Sequence, residues 1–322
     1  MRLALILALI ASPALAGVDK ALDQHVLPRH AALAENTAQL AEAAEADCAP
    51  EGLRPAFGAA YDSWVSMSHI TFGPIEDRGL SLSLSFWPDP KDRVGKALGR
   101  LIADRDPIVE APGEFAEVSA AAQGFTALER LLYDPQQDAE YACALTTAIA
   151  RQLAANAAVL AEDWPAFARL MTTAGEEGNS RFQSKEEATR ALYTALSTGL
   201  EFLQDARLGR PLGTFDRPRP TRAEARRSAR AQRHVELSLA ALKELADHLH
   251  DGPHPGVDEE FAAAMAAAAR LDDPALAGVA DPASRIRVES LHRAVGNLRN
   301  TVNTEIGKPL GITAGFNALD GD

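Results

Sequence analysis

Gly124, Thr126 and Glu129 lie in the segment of this 322-residue chain whose side chains could best contribute to a binding site. Residues three positions apart share one face of a helix, so Thr126 and Glu129 would point the same way. A carboxylate binds first-row transition metals well, whereas a threonine hydroxyl is a poor ligand for zinc or iron. Glu129 alone does not make a metal site, so a metal would need further ligands from elsewhere in the chain.

Histidines are the next potential ligands, and the chain has eight: His25, His30, His69, His234, His248, His250, His254 and His292. His69 and Glu76 could join Glu129 in a metal site, although a histidine in such a position more often ends a helix. The three histidines in residues 248–254 could bind a metal or form a solvated helix end. The chain has no H-E-x-x-H motif, so no segment supplies the ligands and general base of a zinc peptidase.

Arginines are concentrated in one region, and seven fall within the seventeen residues 217–233: Arg217, Arg219, Arg222, Arg226, Arg227, Arg230 and Arg233. Several follow helical spacing, which predicts a cationic face on a helix over residues 221–250. Such a face could bind the carboxylates or phosphates of an acidic polysaccharide or an anionic chelate. The alternative is that it pairs with acidic helices of the same chain or faces solvent.

Charge and missing motifs exclude several classes of function. The chain has 32 Lys and Arg against 45 Asp and Glu, and its formal net charge of −13 disfavours binding to nucleic acid. It contains no G-x-S-x-G nucleophile motif, no P-loop and no dinucleotide-binding fingerprint. The residues therefore predict no catalytic group.

The first sixteen residues have the features of a secretory signal peptide. Arg2 precedes an apolar run over residues 3–11, and Ala14-Leu15-Ala16 forms an A-x-A cleavage site. This run of about 9 residues is far shorter than the roughly 20 that cross a bilayer as a helix. We therefore expect cleavage after Ala16 and a periplasmic mature protein, with a net charge of −14 once Arg2 is removed. No later segment is expected to span a membrane.

The chain has two cysteines, Cys48 and Cys143. In an oxidising compartment such a pair predicts one long-range disulfide, and a buried pair of free thiols is the alternative.

Composition and periodicity predict an all-α fold. Alanine is abundant, aromatic residues make up only 6% of the chain and β-branched residues are sparse. Apolar residues at helical spacing predict amphipathic helices over residues 53–68 and 115–132. Leucine and serine alternate over residues 80–86, but an isolated strand has no partner, so this segment is interpreted as an irregular or short helical connector.

The breaks between helices are short, which favours two packed helical bundles over residues 17–175 and 176–322. Residues 208–214 and 306–312 resemble each other, and each copy follows a long helix. This similarity indicates either an internal repeat of the bundle or a Gly/Pro helix stop that recurs by chance.

The segment Gly124-Phe125-Thr126-Ala127-Leu128-Glu129 resembles the defining G-x-H-x-x-E element of the imelysin-like family, with threonine in place of the histidine. The resemblance extends over the mature chain through Trp64 and residues 72–74, 86–89, 208–220, 227–230 and 315–322. It implies two helical bundles with a functional cleft between them. The cleft residues would be Gly124, Thr126, Glu129, Arg227, Ser228 and Arg230, with Glu129 paired to one of the arginines.

The resemblance also implies a function, and three hypotheses follow. The first is a non-enzymatic periplasmic binding protein for iron, another divalent metal, haem or an anionic ligand, acting with envelope iron-transport components. The second is a metallopeptidase, as the family's historical name implies, although Thr126 removes a ligand that this activity would need. The third is a structural or interaction protein that has kept the fold and lost the metal site.

Overall fold

The computed structural model describes residues 14–249 and 252–311, and within them regular structure is helical apart from one isolated bridge between Thr214 and Arg217. The prediction of an all-α fold is confirmed. The helices are α1 (Ala14–Ala21), α2 (Leu27–Ala46), α3 (Pro50–Met67), α4 (Pro74–Asp77), α5 (Ser81–Leu84), α6 (Arg93–Asp104), α7 (Pro112–Phe115), α8 (Gly124–Tyr133), α9 (Ala139–Thr172), α10 (Lys185–Glu201), α11 (Gly209–Leu212), α12 (Ala231–His248), α13 (Pro255–Ala269) and α14 (Pro282–Val302).

Several predicted features lie outside the described residues. They are nearly all of the signal segment 1–16, His250, and the ending at 315–322.

The first bundle is built from α2, α3, α8 and α9. Helix α9 extends for 34 residues and begins where the Asp138 side chain accepts the backbone N–H of Tyr141 at 3.0 Å. Its apolar residues recur at helical spacing and are buried against α2 and α8. This bundle carries the G-x-x-x-x-E segment on α8.

The second bundle is built from α10, α12, α13 and α14. Prolines open α13 and α14, and the Asp281 side chain accepts the backbone N–H of Ser284 at 2.8 Å to cap α14. Helix α12 also packs on α3 of the first bundle, so one continuous buried apolar cluster extends through both bundles. The two bundles therefore meet where α3 packs on α12, and the segments that precede these two helices lie at the same interface.

Each copy of the repeated sequence follows the same local structure. Helix α10 continues into a π-helical segment, Phe202–Leu208, and α14 continues into a second one, Asn303–Gly307. The copies at 208–214 and 306–312 begin within these segments, and the last residue of the second copy is not described. Both copies thus lie in the second bundle, where each follows a long helix whose last turns are widened.

The predicted helix over residues 115–132 is wrong as one element. Phe115 ends α7, and α8 begins only at Gly124, after a 3₁₀ turn at Ala120–Ala122. Gln123 is extended and Gly124 has a φ of +75°, a combination that no helix interior accommodates. The glycine within the apolar pattern was the sequence signal for this break.

The predicted helix over residues 221–250 is wrong at its start, because α12 begins at Ala231. Ala225 and Ala229 have φ values of +47° and +54°, which place both residues in the left-handed region. Arg226, Arg227 and Arg230 consequently lie on a loop, residues 223–230, and not along one helix face, whereas Arg222 ends a 3₁₀ turn and Arg233 lies on α12. We call this segment the 223–230 loop.

Helix α9 is long and apolar enough to cross a membrane by length and composition alone, with a mean hydropathy of 1.2 over its most apolar stretch. The prediction that no segment after the signal could span a membrane is therefore wrong on length and composition alone. Half of the stretch is buried inside the protein, where it packs against α2 and α8, as the helix of a protein core does.

Cys48 and Cys143 form the predicted disulfide, and their Cα atoms lie 5.3 Å apart. The bond joins the turn after α2 to the first turns of α9 across a sequence separation of 95 residues.

Replacing both cysteines by serine should lower the free energy of unfolding by about 2–5 kcal/mol, because the bond closes a long loop in the unfolded chain. Chemical denaturation of the oxidised protein and of the double variant measures this difference. A reducing agent should destabilise the natural protein and leave the double variant unchanged, and equal midpoints for the two proteins would contradict a structural role for the disulfide.

Candidate functional site

Gly124 allows the start of α8 to pack against the connector at residues 80–86. A methyl group at this position would overlap the backbone oxygens of Ser83 and Leu84, and the φ of +75° also favours glycine. The Gln123 side chain donates hydrogen bonds to the carbonyls of Val118 at 2.7 Å and Ala116 at 3.2 Å, which fixes the turn before the helix. These contacts fix where the first turn of α8 begins.

Thr126 occupies the position where the family element has histidine. Its side chain is buried, and its hydroxyl lies 3.4 Å from the hydroxyl of Ser85. Either of these neutral hydroxyls can donate a hydrogen bond to the other, and neither is a strong metal ligand.

Glu129 is buried with 3% of its surface exposed, one turn further along α8. Its Oε1 accepts two hydrogen bonds from Ser228, one from the backbone N–H at 2.9 Å and one from the hydroxyl at 2.7 Å. The predicted partner was Arg227 or Arg230, and the structure gives Glu129 the serine between them instead. Hydrogen bonds to an ionised carboxylate are among the strong ones, so this contact stabilises the charge of Glu129.

The 223–230 loop reaches Glu129 because two alanines adopt left-handed conformations, which are strained for residues with a Cβ atom. Two of its arginines bind carboxylates of the first bundle: Arg227 donates to Asp134 at 2.6 Å and Arg230 pairs with Asp62. Arg230 also donates to the carbonyl of Gly58 at 3.0 Å. The loop therefore holds the start of α12 on α3 and α8.

A small pocket opens beside Thr126 and Glu129, and five of its lining residues are arginines: Arg130, Arg210, Arg222, Arg226 and Arg227. We call it the arginine pocket. Tyr61, Trp87 and Asp89 line it as well. Burial and the neighbouring Arg227 lower the pKa of Arg226, and the charges of Asp134 and Glu129 partly oppose this shift.

The residues present do not fit the divalent metal that the family element implies. Thr126 supplies no strong ligand, Glu129 already accepts two hydrogen bonds, and guanidinium groups surround them. His69 and Glu76 do not complete the predicted site, because His69 is buried and Glu76 is exposed. Among residues 14–249 and 252–311, no group of three or more His, Cys, Asp or Glu side chains could hold a metal ion.

His69 is instead part of a buried histidine pair. Its Nε2 lies 2.8 Å from Nε2 of His25, whose Nδ1 lies 3.4 Å from a carboxylate oxygen of Glu244. Arg29 binds both oxygens of that carboxylate, at 2.9 and 2.8 Å. Because Arg29 occupies Glu244, a cation gains little from this cluster.

The cluster predicted at residues 248–254 is also divided. His248 lies 3.9 Å from Glu244, whereas His254 lies 3.9 Å from Glu305, and His250 is not described. His248 and His254 thus approach different carboxylates and do not form a shared metal site.

A second polar network was not predicted from the sequence. Arg207 and Glu224 are both buried, and their ion pair joins Arg207 Nε to Glu224 Oε2 at 2.7 Å. His234 Nδ1 lies 3.0 Å from the same carboxylate oxygen, and Arg207 donates to Ser238 at 2.9 Å. Burial opposes the charge of Glu224, but Arg207 and His234 outweigh it and lower its pKa to about 2.

Tyr61 lies between the two networks. Its ring stacks on Phe125 at 4.7 Å and meets the ring of His234 edge-on at 4.5 Å. Burial, and then the charges of Glu224 and Glu129, raise the pKa of Tyr61 well above its usual value. The hydroxyl therefore stays protonated between two buried carboxylates.

Fold and site together define a class: an all-helical protein of two bundles, with a G-x-x-x-x-E segment on a helix at the boundary between them. The family model described as imelysin matches residues 26–302, and the chain belongs to that family.

The relatives are distant in sequence. The chain is 22% identical over 313 residues to iron-regulated protein A of Synechococcus elongatus, covering 88% of this chain and 83% of that protein. The crystal structure of an imelysin-like protein from Psychrobacter arcticum matches 94% of this chain and 97% of its own, with a TM-score of 0.77 and 20% identity. A crystal structure described as an iron-regulated protein A precursor from Parabacteroides distasonis matches 90% and 93%, with a TM-score of 0.73 and 15% identity. At these identities the structural matches show the fold alone.

Acid should destabilise the protein through its buried histidines. Burial, followed by Arg29 and neighbouring histidines, lowers the pKa of His25 from 6.5 to about 2, and burial lowers that of His30 to about 4. As the pH is lowered, these histidines take up protons at a higher pH in the unfolded chain than in the folded protein. The free energy of unfolding that they contribute is therefore fully present above pH 6.5 and falls as the pH is lowered. Each histidine contributes about 1.4 kcal/mol per pH unit in this window.

Urea denaturation at pH 7, 6 and 5 measures the effect. The variant His25→Gln should lose stability with acid more slowly than the natural protein, by about one proton's slope. His292→Gln is the control, because the His292 ring is only half-buried and should change the slope less. An unchanged slope in His25→Gln would show that His25 binds its proton as readily in the folded protein as in the unfolded chain.

Proposed function

We propose that this protein is an exported, non-enzymatic binding protein of the iron-related imelysin family, and that its arginine pocket binds an oxyanion and not a bare metal ion. The ligand would present carboxylate or phosphate oxygens, as an anionic iron chelate does. Delivery to envelope iron-transport components is the role that the family relationship favours.

The observation that carries the proposal is the charge of the arginine pocket. Arg130 pairs with Asp92 and Arg227 with Asp134, so these two guanidinium groups are neutralised within the protein. Arg210, Arg222 and Arg226 have no ion-pair partner among the described residues. Arginine binds carboxylate and phosphate oxygens in a bidentate manner, so unpaired guanidinium groups in a concave site favour an anion.

The negative groups of the pocket do not cancel this excess. Glu129 is held by Ser228, and the Asp89 carboxylate accepts the backbone N–H groups of Arg93 and Val94, both at 2.9 Å. Glu129 and Asp89 keep their negative charges, so three unpaired guanidinium groups against two carboxylates leave a net positive charge in the pocket. A bare divalent cation would be repelled by this charge, whereas an anion would meet the N–H groups of those arginines.

A metallopeptidase is less well supported. Hydrolysis by a metal-bound water needs several ligands with an open coordination position and a general base. The described residues offer no such ligand set at Thr126 and Glu129. A structural or interaction protein without a ligand is the remaining alternative, and it predicts no saturable binding at the pocket.

Export is supported by three observations. The N-terminal residues have the pattern of a cleavable signal, and Cys48 and Cys143 are joined in a disulfide, a bond typical of oxidising compartments. The relative from Parabacteroides distasonis is itself described as a precursor.

Expression of the complete chain in a Gram-negative host should release a mature protein into the periplasm. N-terminal sequencing of that protein should begin at Gly17, because cleavage follows Ala16. A variant with Ala14→Lys and Ala16→Lys is the control and should keep its signal. Recovery of the natural chain uncleaved in the cytoplasm would contradict export.

Isothermal titration at low ionic strength tests the ligand. Citrate, ferric citrate or phosphate should bind saturably, and zinc or ferrous ions alone should not. The variant Arg226→Ala should weaken anion binding about tenfold or more, because it removes an unpaired guanidinium from a partly desolvated site. Arg100→Ala makes the same charge change at an exposed residue outside the pocket and should leave the affinity unchanged.

Glu129→Gln separates the hypotheses by the sign of its effect. Glutamine keeps an oxygen for Ser228 but removes a negative charge from the pocket, so an anion should bind more tightly. A metal ion held by Glu129 would instead be lost. Stoichiometric metal binding that disappears in Glu129→Gln would overturn the proposal, and absence of all binding would favour the structural alternative.

A further inference from the structure

A second cavity lies between the bundles, separate from the arginine pocket, with a volume of about 360 Å³. The end of α3, the connector at residues 81–87, α10 and α12 each supply part of its wall. Neither Thr126 nor Glu129 lines this cavity, whereas Trp87 lines both this cavity and the arginine pocket. Its exposed rim includes Leu82, which is 55% exposed.

We propose that this cavity binds a small uncharged aromatic molecule that carries a carbonyl or hydroxyl acceptor. Its walls and its floor differ in chemistry, as in sites that enclose a ring and orient it through a few polar groups.

The walls are aromatic. Trp64, Trp87 and Phe202 line the cavity, and the rings of Trp87 and Phe202 meet edge-on with their centroids 5.7 Å apart. Aromatic rings prefer offset or edge-to-face contacts with other rings, so these side chains form a partial cage for a planar molecule.

The floor holds donors that the protein does not use. Arg207 is 5% exposed, and its hydrogen bonds go to Glu224 at 2.7 Å, Ser238 at 2.9 Å and Ser68 at 3.3 Å. These bonds use one N–H on each of its three nitrogens, so a second N–H on Nη1 and on Nη2 remains without an acceptor among the described residues. An unused donor in a buried place costs free energy that a bound carbonyl or hydroxyl would recover.

The charge of the floor selects an uncharged ligand. Glu224 already neutralises Arg207 inside the protein. A carboxylate added to the cavity would be a second negative charge against one guanidinium in a desolvated place, which is unfavourable. This specificity is opposite to that of the arginine pocket, where cationic groups are in excess.

Tryptophan fluorescence provides the measurement, because Trp64 and Trp87 are two of the three tryptophans of the chain. Benzamide is the probe, since it combines a ring with a carbonyl acceptor. Cyclohexanecarboxamide lacks the aromatic ring, toluene lacks the acceptor, and benzoate carries the charge. Benzamide should cause a saturable change and bind at least about fivefold more tightly than each of the other three.

Removing Arg207 would leave Glu224 buried and unpaired, so a variant at the rim is the safer test. Thr198 lines the cavity on α10, and its hydroxyl bonds only to the carbonyl of Thr194, four residues earlier in its own helix. Thr198→Phe should fill the mouth of the cavity and weaken benzamide binding about tenfold or more. Thr304→Phe is the matched control, because Thr304 bonds to Asn300 in the same way but does not line the cavity.

Saturable binding that is lost in Thr198→Phe and kept in Thr304→Phe supports the proposal. Three results would overturn it: no saturation with benzamide at millimolar concentration, equal binding in the two variants, or cyclohexanecarboxamide, toluene or benzoate binding as tightly as benzamide.

Discussion

The buried carboxylate of Glu129 is the constraint on which the boundary between the bundles depends. A buried charge without partners would cost several kcal/mol, so the protein must bring donors to it. The donors come from the other bundle: both belong to Ser228, in the 223–230 loop. Two left-handed alanines, Ala225 and Ala229, bend this loop so that the Ser228 N–H points at α8. Backbone strain is accepted here because the alternative is an unpaired charge.

The same contact changes what the site can do. In the family element a histidine and a glutamate would share the cleft as metal ligands, but here the histidine position is Thr126 and the glutamate is satisfied within the protein. Arginines of the loop and of α8 then surround a carboxylate that is no longer available to a cation. The difference from the family element at Thr126 therefore accompanies the preference for an anion that we propose for the pocket.

The sequence was informative where local rules act, and less so where distant residues meet. Composition and apolar periodicity predicted the all-α fold, and two cysteines predicted the disulfide. Gly124 interrupted an apolar pattern, but only its positive φ in the structure shows that a helix begins there. Ser228 could be named as a cleft residue through the family resemblance, but no propensity indicates that Ala225 and Ala229 would adopt left-handed conformations.

Partners that are far apart in sequence were beyond prediction for a related reason. Arg207 and Glu224 are 17 residues apart, and His25 and His69 are 44 apart, so no helical spacing relates them. Their pairing follows from the way that two bundles meet. His69 was a candidate metal ligand because its residue type is evident in the sequence, whereas its contact with His25 is not.

The polar residues between the bundles form a line of linked contacts, and this line explains why a cavity remains there. Tyr61 lies between Glu129 and Glu224, and Arg207 connects Glu224 to α3 through Ser68 and to α12 through Ser238. Buried ion pairs return little net stability compared with apolar packing, but they are satisfied in few geometries. We infer that these contacts fix how the bundles are oriented and prevent the apolar side chains beside them from closing further. A space with aromatic walls and a polar floor is the consequence of that constraint.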